Sequence, residues 1–163
     1  MVYTYVGDVM SFLEELKQIL DDNRNKRICV VGTTCTGKTT ILKSLSMGVD
    51  MDQVIFPLLT PEEENYVCGD PWTEEIGKYM DKLVREKIKI EPGTPVFGTV
   101  VIDSDLLVFL DIDDELLKER TSLRNADFIN AKNMGDKIKQ EIVSSNIPYV
   151  SVKVRQDDII LKK

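Results

Sequence analysis

Apolar positions along the chain follow two different spacings, and their alternation predicts a mixed α/β protein. Short, nearly continuous apolar runs have the composition of buried parallel strands; they are residues 27–31, 95–102, 106–112 and 149–154. Elsewhere, apolar residues recur every three or four positions, as on one face of an amphipathic helix. Helices are expected at 8–21, 39–45, 70–90, 113–124 and 126–145. The pattern predicts one domain over residues 1–163, with a mostly parallel sheet.

Local signals predict where several elements begin and end. Asp8 is the expected N-cap of the first helix, and Asp113 that of the helix at 113–124. Asp70 and Pro71 are expected as the N-cap and first helical residue of a later helix. A short strand is expected at Asp52–Phe56, ended by the proline that follows it, and an acidic, irregular segment at Pro61–Gly69.

Composition narrows the class of protein. With 163 residues, 42% of them hydrophobic, the chain is long enough for one domain with a core. The net charge of −7 argues against binding to a nucleic-acid backbone, which needs a basic surface. Three cysteines without CxxC spacing, and no histidine, argue against a structural zinc site and a disulfide framework. We find no signal segment and no apolar stretch of membrane-spanning length, so a cytoplasmic protein without membrane contact is expected.

Residues 32–39 read GTTCTGKT, the complete phosphate-binding loop signature GxxxxGK[ST]. In this motif backbone amides cradle the β-phosphate, the lysine reaches the β- and γ-phosphates, and the final hydroxyl holds Mg²⁺. The loop follows an apolar run and precedes a helical pattern, so a helix N-terminus faces the anion. The candidate nucleotide-binding residues are Gly32, Thr33, Thr34, Cys35, Thr36, Gly37, Lys38, Thr39 and Thr40.

A phosphate-binding loop also needs a carboxylate that orders Mg²⁺ or its water shell, usually at the end of an apolar strand. Asp103 and Asp111 both fit this position. We favour Asp103, at an unusually short junction in which Ser104 and Asp105 lead to the next apolar run without a helix. For Asp111, a strand-end or capping role is the better interpretation. The predicted metal ligands are Thr39 and Asp103.

The loop is one of four segments that together resemble the small P-loop kinases, the group that includes shikimate, gluconate, adenylate and nucleoside kinases. The other three are DMD at residues 50–52, DLLVFLDIDDELLKERTSLR at 105–124 and IPYVSV at 147–152. The resemblance covers residues 27–154 and leaves a helical extension within residues 1–25. It implies a three-layer α/β/α fold with a five-stranded parallel sheet, the loop after its first strand, and ATP with Mg²⁺ as cofactors.

The same resemblance implies roles for residues outside the loop. A carboxylate after the second strand contacts the acceptor hydroxyl, which points to Asp52 or Asp50, and arginines of a lid clamp the phosphates, which points to Arg120 and Arg124. Phosphoryl transfer needs positioning and charge neutralisation, and a carboxylate can accept the hydroxyl proton. The two arginines are four residues apart and share one helix face. The predicted catalytic residues are Lys38, Asp52, Arg120 and Arg124.

Two features bear on which kinase this could be. Cys35 stands where these kinases often have a glycine, which weakens assignment to a particular member. Residues 49–84, the expected acceptor side, contain nine acidic residues, two lysines and no arginine. Kinases of nucleoside monophosphates need arginines there to hold a phosphate. A neutral or cationic small-molecule acceptor, such as a nucleoside, sugar or other alcohol, is therefore favoured, unless Arg85 or Arg120 holds an anion instead.

Other classes stay open. A nucleoside-monophosphate kinase is one alternative, and a domain that binds nucleotide without chemistry is another. A nucleotide-dependent switch or assembly factor is a third, with a protein partner bound through the acidic segment 61–75 or the N-terminal helix. A signalling GTPase is disfavoured, because no NKxD-like guanine-binding motif follows a later strand.

Overall fold

The computed structural model describes residues 11–155, which form five strands and seven α-helices. The strands are β1 (Ile28–Val31), β2 (Val49–Asp50), β3 (Val96–Gly98), β4 (Leu106–Asp111) and β5 (Tyr149–Lys153). The α-helices are α1 (Phe12–Asp22), α2 (Lys38–Leu45), α3 (Met51–Ile55), α4 (Pro61–Val67), α5 (Glu74–Lys87), α6 (Asp114–Leu123) and α7 (Phe128–Ser145). A short 3₁₀ turn, Phe56–Leu58, continues α3.

All five strands belong to one parallel sheet in the order β2-β3-β1-β4-β5. β1 lies at the centre, where Val31 is level with Gly98 on one side and Phe109 on the other. Because the strands are parallel, the loops after β1, β2 and β4 leave the sheet at one edge, its carboxyl edge. The predicted α/β class with a five-stranded parallel sheet is confirmed.

Helices cover both faces of this sheet, so the domain has three layers. On one face α1 and α2 pack against alternate strand residues such as Ile28, Val30 and Val108. On the other face α3, α5 and α7 pack against Cys29, Val31 and their neighbours. The continuous apolar runs of β1 and β4 follow from burial on both faces.

The beginning of α1 is set by a capping box. The Ser11 hydroxyl accepts a hydrogen bond from the Glu14 amide, and the Glu14 carboxylate accepts one from the Ser11 amide, both at 3.1 Å. Asp8, the expected N-cap, lies outside the described residues. Within residues 11–155, no helix is long and apolar enough to cross a membrane.

Three predictions for the segment after β2 were wrong. Asp52–Phe56 is not a strand, because the sheet ends at Asp50, whose carboxylate accepts a hydrogen bond from the Asp52 amide at 2.9 Å and caps α3. The acidic segment Pro61–Gly69 is mostly helix α4, which begins with a capping box formed by Thr60. Helix α5 begins at Glu74 rather than at Pro71, because Thr73 is its N-cap.

The apolar run 95–102 also differs from the prediction, since only its first half is a strand. Val96–Gly98 pair with β1, and the chain then runs back across the sheet as an extended crossover, residues 99–105. Val100, Val101 and Ile102 in this crossover are buried in the same cluster as α5 and α7. The crossover delivers the chain to the amino end of β4, where the Asp105 amide donates to the Arg27 carbonyl at 2.8 Å.

Candidate functional site

The GTTCTGKT loop lies between β1 and α2 at the carboxyl edge, as predicted. Gly37 precedes α2 with a left-handed backbone (φ 93°), which glycine adopts without strain. Cys35 is also left-handed (φ 68°), although it carries a side chain. Gly32 packs tightly, because a Cβ there would lie 3.0 Å from that of Leu110. The loop therefore has a fixed conformation that its own sequence only partly favours.

Five consecutive backbone amides, those of residues 36–40, donate to no group within residues 11–155. The next amide along the chain, that of Ile41, is the first to donate within the turn, to the Gly37 carbonyl at 2.9 Å. Free amides at a helix N-terminus attract anions through their partial charges and the helix dipole. This row of donors is therefore suited to binding an anion.

Lys38 turns back over the loop that precedes it. Its ammonium donates to the carbonyls of Gly32 at 2.8 Å and Thr33 at 2.7 Å, and to the hydroxyl of Thr36 at 3.2 Å. Burial lowers the pKa of Lys38 to about 8, against the opposing effect of the nearby carboxylates Asp50 and Asp52. Lys38 forms no salt bridge within residues 11–155, so an anion would be its natural partner.

Arg120 and Arg124, at the end of α6, both approach the loop but differ in their contacts. The half-buried Arg120 guanidinium donates from Nη1 to the Thr36 carbonyl at 2.8 Å and to the Cys35 carbonyl at 3.4 Å. Burial, and then the neighbouring charge of Arg124, lower the pKa of Arg120. The Arg124 side chain is exposed and has no hydrogen bond or salt bridge to any described residue. It also opposes the charge on Lys38, so three cations converge on the loop.

The pair α6 and α7 is fastened to the loop by further contacts. The Thr33 hydroxyl donates to the carbonyl of Ala131 in α7. The buried side chain of Cys35 packs against Leu117 and Ala131. Thr34 and Thr39 are instead exposed, and the Thr39 hydroxyl is therefore accessible at the first turn of α2.

Asp50 and Asp52 lie near Lys38, at the end of β2 and the start of α3. Their charges reach Lys38, since both counter the fall in its pKa. Burial and the charge of Asp50 raise the pKa of Asp52, while Lys38 lowers it. The structure thus brings together Lys38 with both candidates for the acceptor-side carboxylate.

The position of this pair depends on a close contact with β3. A Cβ on Gly98 would lie 2.7 Å from the Cβ of Met51, the buried first residue of α3. Glycine at the end of β3 is therefore what allows α3 to begin at this height above the sheet. The apolar pattern of β3 shows nothing of this contact, and the glycine was not singled out from sequence.

The prediction that Asp103 is a metal ligand is corrected. Its carboxylate pairs with Arg27 at 3.0 Å, and Arg27 precedes β1 at the amino edge of the sheet. The four residues of β1 separate that edge from the loop, roughly 13 Å at 3.3 Å per residue. Asp111, the alternative, does end β4 at the carboxyl edge and lines a small cavity with Thr33.

Several solved structures resemble this chain. A solved structure of deoxyadenosine kinase from M. mycoides, with the products dCMP and a flexible dCDP bound, matches this chain with a TM-score of 0.43. The two share 14% sequence identity, and the match covers 83% of this chain and 95% of that one. No protein-family model matches the chain, and no curated protein does. The fold assignment therefore depends on the strand order and the loop described above.

Proposed function

We propose that this protein transfers the γ-phosphate of ATP, with Mg²⁺, to the hydroxyl of a small neutral acceptor such as a nucleoside or a sugar. The observation that carries the proposal is the row of free amides at residues 36–40 beside Lys38. Such a row matches the oxygens of a nucleotide's phosphates, and Lys38 and Arg124 supply positive charge where negative charge accumulates during transfer.

The donor set around Thr39 fits Mg²⁺. This ion binds proteins through one or two oxygen ligands and completes its shell with water and substrate phosphates. The exposed Thr39 hydroxyl is one such oxygen, and water and phosphate oxygens would supply the rest of the shell. When bound, Mg²⁺ neutralises phosphate charge. No group of three acidic or thiol side chains that could hold a metal by themselves occurs within residues 11–155.

Asp52 is the preferred acceptor-side base. A base works best when its pKa lies nearer to the working pH, and burial together with the Asp50 charge raises the pKa of Asp52 in that direction. Asp50 is less suited, because its carboxylate already accepts the Asp52 amide and caps α3. We assign Asp52 to orient the acceptor hydroxyl and receive its proton, and Asp50 to hold Asp52 in place.

The charge on the acceptor side favours an uncharged acceptor. Helices α4 and α5 begin with clusters of glutamates, and of the lysines in residues 49–84, Lys78 lies beside Glu74 at 3.8 Å. Lys87, at the end of α5, pairs with Glu63 at 3.1 Å. An acceptor phosphate would meet the field of Asp50 and Asp52, and residues 49–84 contain no arginine to balance it.

The test is turnover of Mg·ATP with pooled nucleosides, monosaccharides and nucleoside monophosphates. We expect ADP formation to rise with one of the neutral pools and to fall about 10³-fold or more in Lys38→Ala. Lys43→Ala, an exposed lysine on the same helix, is the matched control and should behave like the unmutated protein. Turnover that rises only with monophosphates, or only with a protein partner, would refute the proposed acceptor.

A further inference from the structure

We infer that Arg120 is a positioning residue, which binds the back of the phosphate-binding loop and holds its backbone amides toward the nucleotide. Of the two arginines, only Arg124 then contacts the phosphates. The inference rests on the proposed function and divides a role that the sequence assigned to both arginines. It starts from the contacts of Arg120, which are made to carbonyl oxygens of the loop.

The planarity of the peptide bond relates these carbonyl contacts to the direction of the neighbouring amides. In a planar trans peptide the carbonyl oxygen and the amide hydrogen of the next residue point in opposite directions. Arg120 binds the carbonyls of Cys35 and Thr36, so the amides of Thr36 and Gly37 point away from Arg120. These are the first two of the five free donors at residues 36–40. A cation on the carbonyl end of a peptide also polarises it, which makes its N–H a stronger donor.

The loop needs such support at this place. Cys35 is held at φ 68°, a left-handed conformation that is strained for any residue with a side chain. Arg120 binds the carbonyl of that same residue, and α6 and α7 pack against its side chain. The loop is thus kept in its anion-binding shape by contacts from outside, where a glycine would reach that shape without them.

Arg120 has little freedom to do anything else in this arrangement. Its guanidinium is half-buried and bonded to the back of the loop. The Arg124 side chain, one turn further along, is instead exposed and has no hydrogen bond or salt bridge within residues 11–155. Arg120 binds the carbonyl side of these peptides, and the phosphates would bind their amide side. Arg120 and the phosphates therefore lie on opposite sides of the loop. The geometry leaves the γ-phosphate to Arg124.

Only the role given to Arg124 depends on the γ-phosphate, which ATP has and ADP lacks. The experiment therefore compares the affinities for Mg·ADP and Mg·ATP by titration calorimetry. The loop amides hold the β-phosphate, which both nucleotides have. Arg120→Ala is expected to weaken both by the same factor, about tenfold, because two hydrogen bonds to a charged group are lost. Arg124→Ala should weaken ATP more than ADP. Equal ADP affinity for Arg120→Ala and the unmutated protein, or a loss confined to ATP, would overturn the inference.

A conservative variant and a second measurement guard against a simple folding defect. Arg120→Lys keeps the charge and can reach one carbonyl, so it should recover part of the ADP affinity. In nucleotide-free protein, the ¹⁵N–¹H resonances of Thr36 and Gly37 should shift in Arg120→Ala and stay in place in Arg124→Ala. Unmoved resonances would overturn the positioning role by themselves. Absence of ADP binding by the unmutated protein would instead refute the proposed function, with the resonances still reporting on Arg120.

Discussion

The two sides of the candidate site are held in place by different kinds of contact. On the donor side, the loop is bonded to side chains and backbone of α6 and α7, through Arg120 and Ala131. On the acceptor side, Asp50 and Asp52 stand on a two-residue strand and a five-residue helix, positioned by the packing of Met51 on Gly98.

Because of this difference, substitutions on the two sides are expected to change different properties of the protein. Polar bonds around the loop set the direction of donors, so changes there should alter nucleotide affinity first. Packing under α3 sets the height of two carboxylates, so changes there should alter stability and turnover with little effect on nucleotide affinity. Each of the following variants tests one side of this division.

The largest effect is expected on the acceptor side, for Asp52→Asn. Removing a positioned base costs about 10²–10⁴-fold in turnover. We expect kcat with the acceptor to fall within this range while the dissociation constant of Mg·ADP stays within about twofold, since no bond to the loop is lost. Asp50→Asn is the matched control, because asparagine still caps α3. A larger loss for Asp50→Asn than for Asp52→Asn would exchange their assigned roles.

The packing under α3 can be broken by Gly98→Ala. The new Cβ would lie 2.7 Å from the Met51 Cβ, which cannot move aside as the tip of a flexible side chain could. We expect a loss of about 1–3 kcal/mol in the free energy of unfolding, measured with urea, and a lower kcat.

A second glycine provides the control for that measurement. At Gly77, inside α5, the nearest atom to a new Cβ is the Trp72 Nε1 at 3.5 Å, an ordinary contact. Gly77→Ala should therefore gain roughly 0.5–1 kcal/mol, as alanine does in a helix. Similar stabilities for the two variants would show that the packing of Met51 does not require a glycine at position 98.

The donor side should respond to pH through Lys38. Its pKa of about 8 means that the ammonium loses its proton as the pH rises through 8, and an anion binds the charged form better. We expect the affinity for Mg·ADP to be constant below pH 8 and to fall by up to about tenfold per pH unit above it. In Lys38→Gln the affinity should be lower and independent of pH in this range. If the affinity of the unmutated protein does not change with pH, Lys38 does not contact the phosphates.

The smallest effect concerns the backbone of the loop itself. Cys35→Gly and Cys35→Ala both remove the thiol, and only glycine accepts φ 68° without strain. We expect the glycine variant to be more stable than the alanine variant by about 1 kcal/mol in urea unfolding. If the alanine variant is the more stable of the two, the left-handed backbone at this position does not destabilise the protein.

Features that depend on local chemistry could be predicted from the sequence. The loop at residues 32–39 and the capping of α6 by Asp113 both appear where the sequence placed them. The signal in each case is a residue type at a fixed spacing from a helix start, which a single sequence displays directly.

Features that depend on pairing between distant strands could not be predicted. Residues 99–102 are as apolar as β3 because they are buried under α5 and α7, so the apolar run shows burial but not where hydrogen bonding to β1 stops. Asp103 was misplaced for this reason. Asp52–Phe56 ends in three consecutive apolar residues, a pattern that suits a short buried strand and a one-turn helix equally well. The sequence alone therefore could not separate the two.

The bonds that shape the loop have a consequence for the synthesis of the chain. Thr36 and its partner Arg120 are 84 residues apart, and Thr33 and Ala131 are 98 residues apart. At 5–20 residues per second, a ribosome needs roughly 5–20 s to add the residues that complete the loop. During that interval the nascent chain carries the GTTCTGKT sequence without its supports. The proposed nucleotide could therefore meet a completed loop only after most of the chain has been made.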